Sequence, residues 1–170
     1  MDSVFEIAEL IRRLGKVKGR VRLQKIVYLL QQKGCQFGED FEYGHYGPYS
    51  RTLALELDVL KLNKLVEETK EKTTSGVLYT YKPNAELEKL MLDTPGLHHL
   101  DDPDIHNTLA LLKGKDTHVL EVASSRLFLS KNGLSGEKLD QALEQWKPGL
   151  RKYFRDGASL LKELELEKQV

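Results

Sequence analysis

The apolar residues in the first half of the chain change their spacing in an order that few folds share. They recur with the helical period in successive segments around residues 4–14, 23–30 and 51–63. They then alternate along Val77, Tyr79 and Tyr81, as the strand of a half-buried β-hairpin requires. Three helices followed by a hairpin is the chain order of a winged helix, so we expect a winged-helix-like module at the N-terminus.

Capping and turn residues mark where these elements begin and end. Ser3 and Glu6 form a capping-box pattern at the start of the first helix, and Gly34 follows the last apolar residue of the second. Ser50 is placed to cap the third helix, which we expect to bury Leu53, Leu57 and Leu60 together with Val59. A short strand is expected at 41–45.

The rest of the chain has helical patterns and an acidic, turn-rich connector. We expect helices at about 83–92, 104–113, 116–131, 136–146 and 148–166. The predicted fold is therefore mainly α with a small β-hairpin. Its regions are a winged-helix-like module at 1–83, a short helix and acidic connector at 84–104, and a C-terminal helical bundle at 105–170 packed on the first module.

Composition excludes several classes of protein. With 40% hydrophobic and 31% charged residues among 170, the chain is in the globular range and is neither disordered nor collagen-like. Its longest apolar run is residues 26–30, whereas a membrane-spanning helix needs about 20 such residues. The first residues lack a signal-peptide pattern, and the single Cys35 can form neither an intramolecular disulfide nor a cysteine-based zinc site. We therefore expect a cytoplasmic protein that is not bound to a membrane.

The charges are balanced overall, with 26 basic and 26 acidic residues, but they are unevenly distributed. Between Arg12 and Lys25 there are only basic charges, and Lys16, Lys18 and Arg20 precede the second helix, whose N-terminus attracts anions. This pattern predicts a nucleic-acid or other polyanion site, although a solvated turn would have the same pattern. The candidate residues are Lys16, Lys18, Arg20, Arg22, Arg51, Lys61, Lys70 and Lys72.

The third helix and the hairpin would make further contacts if the module docks on DNA as other winged helices do. The exposed positions of this helix are expected to be Arg51, Thr52, Glu56, Asp58, Lys61 and Lys64. Its acidic side chains oppose phosphate contact, and its many leucines favour burial. Near the hairpin tip Lys70 and Lys72 alternate with Glu67, Glu68 and Glu71, which weakens a DNA-contacting role for the hairpin.

Two motifs resemble those of a known family. They are Gly19-Arg20-x-x-Leu23-Gln24-Lys25-x-x-Tyr28 and Tyr43-x-x-Tyr46-Gly47-Pro48-Tyr49-Ser50. They resemble the paired motif of the YwgA-like family of small bacterial and archaeal proteins, which is in turn similar to the Panacea domain, an antitoxin-associated module. The resemblance covers about residues 4–82 and, more weakly, 118–129. It implies a mainly helical, winged-helix-like regulator or partner-neutralising domain without enzyme chemistry.

The second motif forms an aromatic loop, which has two interpretations. Clustered tyrosines beside glycines are suited to binding a protein partner or stacking on bases. Alternatively the loop is architectural, in which case Tyr46 is mostly buried, Tyr49 is exposed, and Gln24 and Lys25 hydrogen-bond to the loop. The candidate residues of this loop site are Gln24, Lys25, Tyr43, Tyr46 and Tyr49.

No pattern points to catalysis, a metal or a cofactor. The segment His98–His106 contains imidazoles and carboxylates but no helical pair with metal-ligand spacing, and Cys35 is expected to be buried. Association is the remaining expectation. The last two helices have more apolar side chains than they can easily bury, which predicts a homodimer through them; these residues are Trp146, Tyr153, Phe154, Leu160, Leu161 and Leu164.

Two functions follow from these patterns. The first is a non-enzymatic regulator that binds nucleic acid through the basic N-terminal patch, and the alternative is an antitoxin-like module that captures a protein partner. The position of the basic side chains separates them. One continuous positive face would favour DNA, whereas a positive patch separated from an apolar groove would favour a protein partner.

Overall fold

The computed structural model describes residues 3–94 and 98–167, and within them the chain is mainly helical with small antiparallel sheets. The N-terminal elements are α1 (Ser3–Leu14), β1 (Val17–Lys18), α2 (Arg20–Gln32), β2 (Glu42–Gly44), β3 (Gly47–Tyr49), α3 (Arg51–Leu62), β4 (Val66–Thr73) and β5 (Gly76–Pro83). The elements that follow are α4 (Ala85–Leu92), a 3₁₀ turn (His98–Leu100), α5 (Pro103–Lys113), α6 (Thr117–Lys131), α7 (Gly136–Trp146), a 3₁₀ helix (Pro148–Tyr153) and α8 (Phe154–Glu163).

The predicted hairpin belongs to a three-stranded antiparallel sheet with the order β1-β5-β4. Val17 pairs with Tyr81 and Lys18 with Thr80, so the connector between α1 and α2 forms an edge strand beside β5. This strand was not predicted, because two residues are too few to show a periodicity. The sheet therefore fixes the basic connector against the hairpin.

The aromatic loop forms a second, two-stranded sheet. β2 pairs with β3, and Tyr43 lies opposite Pro48. The expected short strand at 41–45 is confirmed at Glu42–Gly44, and its partner lies in a segment that was predicted only as a loop. Ser50 caps α3 as predicted, because its hydroxyl accepts a hydrogen bond from the Leu53 amide at 3.2 Å.

The last predicted helix is divided in two. Residues 148–153 form a 3₁₀ helix and α8 begins only at Phe154. Pro148 has no amide hydrogen and Gly149 is a poor helix former, so the start of this segment adopts the tighter 3₁₀ winding.

α6 lies at the centre of the molecule. It packs against α2, α7, α8 and β3, and its buried residues face every direction, including the polar Glu121, Ser124 and Ser125. The main hydrophobic cluster runs from Ile7 of α1 to Leu166, so the N-terminal and C-terminal parts share one core. Among the described residues, no helix is both long enough and apolar enough to cross a membrane.

The apolar surface on which the predicted dimer rests is mostly absent. Leu160, Leu161 and Leu164 are buried in the main cluster, because α8 packs directly on α6. Tyr153 and Phe154 are also partly buried against the cores, which leaves the half-exposed Trp146. Most of the apolar side chains from which the homodimer was predicted are therefore buried within the chain itself, and the homodimer stays a prediction.

Candidate functional site

A basic groove lies between the β1 connector and the turn that joins α5 to α6. The groove is open to solvent and has a volume of about 540 Å³. Its lining residues are Leu14, Gly15, Lys16, Lys18, Arg22, Lys113, Lys115, Asp116 and Thr117. It therefore brings together three residues of the predicted anion site, Lys16, Lys18 and Arg22, with two lysines that the sequence analysis did not select.

Most of the basic charges between Arg12 and Lys25 have partners inside the molecule. Arg12 and Arg13 each form an ion pair with Glu9 at 2.7 Å. Lys16 and Lys18 are different: both are exposed, and within the described residues neither has an ion pair. They are the charges of this stretch that remain available for an external anion.

Arg22 is held by the α5–α6 turn. Its Nη1 donates to the Lys115 carbonyl at 2.7 Å and to the Thr117 hydroxyl at 3.1 Å. Its Nη2 donates to the carbonyls of Lys113 at 3.0 Å and Leu112 at 3.3 Å. The guanidinium thus satisfies carbonyls at the C-terminal end of α5, which have no partner within the helix.

Arg20 and Lys61 belong to an ion-pair network outside the groove. Arg20 donates to Asp58 at 2.7 Å and to the Tyr81 hydroxyl at 2.9 Å, and Lys61 pairs with Glu68 at 2.9 Å. The Arg20 hydrogen bond lowers the pKa of Asp58. The charges of both basic residues are therefore compensated.

The other predicted cations are separate from the groove. Arg51 is exposed at the start of α3, and Lys72 is exposed near the hairpin tip. The Lys70 ammonium lies 5.4 Å from the centre of the Tyr79 ring, in a cation–π contact. The eight candidate residues thus do not form one continuous positive face.

α3 exposes Arg51 and Thr52 as predicted, but it also has an exposed apolar stripe that was not expected. Leu55, Val59 and Leu62 are 65%, 41% and 82% exposed, and their spacing places them along one stripe of the helix. Glu56, expected at the surface, is only 4% exposed and accepts a hydrogen bond from the Ser3 hydroxyl. Three predictions are corrected here: Glu56 is buried, Val59 is not buried, and the hydroxyl of Ser3, itself the first residue of α1, contacts α3.

The aromatic loop is anchored by buried polar side chains. The Gln24 amide donates to the Ser50 carbonyl and accepts from the Ser50 amide, both at 2.8 Å, and the Lys25 ammonium donates to the Pro48 carbonyl at 2.6 Å. These are the contacts predicted for an architectural loop. From the other side the Lys147 ammonium donates to the His45 carbonyl at 2.7 Å.

One of the anchoring lysines, Lys147, pairs with a buried carboxylate whose charge also acts on the other, Lys25. The Lys147 ammonium lies 2.7 Å from Glu121, and both side chains are nearly inaccessible to solvent. Burial lowers the pKa of Lys25 to about 7; the charge of Glu121 opposes this shift, and that of Lys147 adds to it. Glu121 and Lys147 were missed because they are distant in sequence from the motifs. The one available signal was a glutamate within the apolar run Val119–Ala123.

The tyrosines of the loop are arranged differently from the prediction. Tyr46 is 54% exposed and Tyr49 is 44% exposed, so the expected burial of Tyr46 is wrong. The β2–β3 turn places Tyr46 at its tip, in edge contact with His45. Tyr43 is the half-buried member, and its ring packs against Phe128 and Trp146. The loop is held by side chains that hydrogen-bond to its backbone, and two of its tyrosines face solvent.

The remaining predictions concern the His98–His106 segment as a metal site and the burial of Cys35. Within the described residues, no group of three or more His, Cys, Asp or Glu side chains is arranged to hold a metal ion. The segment that begins at His98 is only partly covered by this statement, because the His98 side chain lies outside the described parts. Cys35 is buried as predicted, and burial raises the pKa of its thiol to about 12.

A second buried group, in the middle of α3, titrates away from its usual range. Burial raises the pKa of Glu56 from its ordinary 4.5 to about 7, and the neighbouring Glu39 carboxylate adds to the effect. Between about pH 4.5 and pH 7 the folded protein therefore keeps a proton on Glu56 that the unfolded chain has lost. The stabilisation from this group is complete below pH 4.5 and is lost as the pH rises through about 7.

We expect Glu56→Gln to flatten this pH dependence. The free energy of unfolding of the native protein should fall between about pH 5 and pH 7, and the decrease should be smaller in the variant because an amide does not ionise. Urea unfolding at several pH values measures both curves, with the exposed Glu71→Gln as the matched control. Parallel curves for Glu56→Gln and the native protein would contradict the prediction.

Comparison with known proteins extends the motif resemblance. The chain is 30% identical over 124 residues to a Bacillus subtilis (strain 168) protein described as "Uncharacterized protein YwgA", and the match covers 73% of this chain and 71% of that protein. No protein-family model matches the chain. The similarity is therefore longer than the segment that contains the two motifs.

Proposed function

The chain belongs to the YwgA-like family, and on that premise we propose that it is a non-enzymatic, winged-helix-like regulator that binds nucleic acid through basic side chains of its N-terminal region. The sheet order supports the winged-helix interpretation, because β1 lies beside a hairpin that follows three helices. The observation on which the binding proposal rests is the exposure of Lys16 and Lys18 at the groove, without an acidic partner in the described residues.

The proposed contact is with the phosphate backbone and not with base edges. A recognition helix reads bases with polar side chains, whereas the exposed stripe of α3 consists of Leu55, Val59 and Leu62. Lysine contacts to phosphates position a protein on nucleic acid but carry no sequence information. Binding should therefore depend strongly on salt and only weakly on sequence.

Fluorescence anisotropy with a random-sequence duplex tests this proposal. We expect modest affinity at about 50 mM salt and a log–log salt slope on the order of −4, as neutralisation of four or five phosphates would give. Replacing Lys16 and Lys18 by Gln should reduce the magnitude of the slope by about 2. The matched control replaces Lys131 and Lys138 by Gln; both are exposed. Lys131 is the last residue of α6, about 20 Å along the helix from its first residue, Thr117, which lines the groove.

Two results would contradict the proposal. One is the absence of binding to a random duplex at about 50 mM salt and tens of micromolar protein. The other is an equal loss of affinity in the Lys16/Lys18 variant and the control, because both variants remove two positive charges and differ only in their location. Circular dichroism spectra confirm that each variant is folded.

The separation of charge from apolar surface favours a second candidate function. No residue of α3 is among those that line the basic groove in the described structure, so the apolar stripe and the positive patch are distinct surfaces. A continuous stripe of exposed leucine and valine is typical of a helix that docks on a protein. This supports the alternative of an antitoxin-like module similar to the Panacea domain, which captures a protein partner.

Replacing Leu55 and Leu62 by Gln tests the second candidate. Both side chains are exposed, so stability should change by less than about 0.5 kcal/mol. If α3 captures a partner, the native protein should retain one protein from a lysate of the source organism, and the variant should not retain it. The native protein and that partner, each purified, should form the same complex when mixed. Equal retention by both proteins would contradict a partner site on α3.

A further inference from the structure

We propose that the α5–α6 turn forms the second wall of the phosphate site, so that Lys113 and Lys115 bind phosphates of the same nucleic-acid strand as Lys16 and Lys18. This inference rests on the proposed function and assigns its site to both halves of the chain. The four lysines line one groove although about ninety-five residues separate the two pairs in sequence.

The charges of the groove favour an anionic ligand. Lys113 is exposed, and within the described residues it has no ion pair, like Lys16 and Lys18. Lys115 is half-exposed and pairs with Glu163 at 3.2 Å, an exposed contact that contributes little energy and yields readily to a phosphate. Cations on both walls would act on the same phosphates.

Asp116 is the acidic residue of the lining. Its Oδ1 accepts a hydrogen bond from the His118 amide at 2.7 Å, and it lies 3.1 Å from the His118 ring nitrogen Nδ1. The carboxylate is therefore engaged as the N-cap of α6. A single engaged carboxylate leaves the balance of charge in the groove positive.

Arg22 acts as a positioning residue in this proposal. Its guanidinium joins α2 to the α5–α6 turn through the carbonyls of Leu112, Lys113 and Lys115 and the Thr117 hydroxyl. These bonds fix the second wall against the first. Because its terminal nitrogens are occupied by protein acceptors, we assign Arg22 to hold the lysines and not to bind phosphate itself.

The size of the groove indicates that one strand is bound. A volume of about 540 Å³ corresponds to a cube with edges of about 8 Å, which is less than the ~12 Å width of the major groove alone, so the groove cannot enclose a duplex. A duplex would place one of its strands along the groove, and a single strand would bind in the same way. The shared ligand is thus the phosphodiester backbone of one strand.

The test compares three paired variants on a single strand and on its duplex. The pairs are Lys113→Gln with Lys115→Gln, Lys16→Gln with Lys18→Gln, and the control Lys131→Gln with Lys138→Gln. We expect each groove pair to weaken binding about tenfold at 100 mM salt and to reduce the magnitude of the salt slope by about 1 to 2, with no comparable change in the control. The effect should appear with both ligands.

The outcomes separate this inference from the proposed function. If the native protein does not bind nucleic acid, both are overturned. If it binds, and the Lys16/Lys18 pair weakens binding while the Lys113/Lys115 pair behaves like the control, only the second wall is overturned. An effect of the Lys113/Lys115 pair on duplex alone would overturn the assignment to one strand.

The role of Arg22 has its own readout. In an Arg22→Gln background, the Lys113/Lys115 replacement should cost clearly less affinity than in the native protein, because the turn no longer holds these lysines in place. Arg22→Lys keeps the positive charge but not the planar set of donors, so it should behave like Arg22→Gln. It replaces Arg22→Gln in the experiment if that variant does not fold. Equal costs in both backgrounds would overturn the positioning role.

Discussion

Replacing Glu121 by Gln should lower the free energy of unfolding by about 3–5 kcal/mol, the cost of leaving a buried charge without its partner. The Glu121 carboxylate lies 2.7 Å from the Lys147 ammonium, and the two side chains are 7% and 4% exposed. Lys25 is also within the influence of this carboxylate. The substitution therefore leaves the buried Lys147 charge without its carboxylate and removes the charge that favours protonation of Lys25. Urea unfolding at neutral pH measures the loss.

Two further measurements establish that charge, and not packing, causes this loss. Replacing Glu121 by Leu and Lys147 by Met together should cost less than Glu121→Gln alone, because the buried ion pair is then removed as a unit. The loss in Glu121→Gln should also shrink as the pH rises through about 7, because Lys25 then gives up the proton that the Glu121 charge favours. A change of less than about 1 kcal/mol at every pH would contradict the assignment.

The contacts of Gln24, Lys25, Glu121 and Lys147 show which part of the site could be predicted from the sequence. Gln24, Lys25 and the loop to Ser50 are close in sequence and were predicted to contact each other, and they do so. Glu121 lies in α6 and Lys147 lies between α7 and the 3₁₀ helix, both far along the chain, and their positions depend on how α6 packs against α2, α7 and β3. No local pattern contains that information.

Several helix boundaries were predictable for a related reason. Helix starts and ends depend on neighbouring residues, as at Ser50 before α3 and at Asn132 after α6. The face of a helix that becomes buried depends on its partners. α3 has apolar residues on more than one side, so the spacing of its leucines did not decide between Val59 and Glu56 as the buried residue.

The basic groove was only partly predictable, because its charges depend on contacts between residues that are distant in sequence. The charge run from Arg12 to Lys25 was visible in the sequence, but most of its members have protein partners in the fold, including Arg13 with Glu9 and Arg22 with the α5–α6 turn. The groove instead gains Lys113 and Lys115, which flank a glycine in a turn and show no pattern of their own. A charge that is uncompensated in the sequence is therefore only a candidate until its neighbours in space are known.

The close packing of α8 on α6 leads to the last prediction. An added Cβ at Gly157 would lie 2.4 Å from Val122 Cγ1, 2.9 Å from Val122 Cβ and 3.1 Å from the Ala123 amide nitrogen. Because two of these atoms move only with the α6 backbone, Gly157→Ala must push the helices apart. We expect a loss of about 2–3 kcal/mol, typical of overpacking in a core.

The opposite result is what helix propensity alone would give, since alanine is favoured over glycine by about 1 kcal/mol in a helix interior. Gly149→Ala is the control, because no atom lies within 4 Å of the added Cβ there, and its stability should change little. Combining Gly157→Ala with Val122→Ala removes the 2.4 Å overlap but not the one at 2.9 Å, so part of the lost stability should return. A higher melting temperature for Gly157→Ala would mean that α8 does not pack this closely on α6.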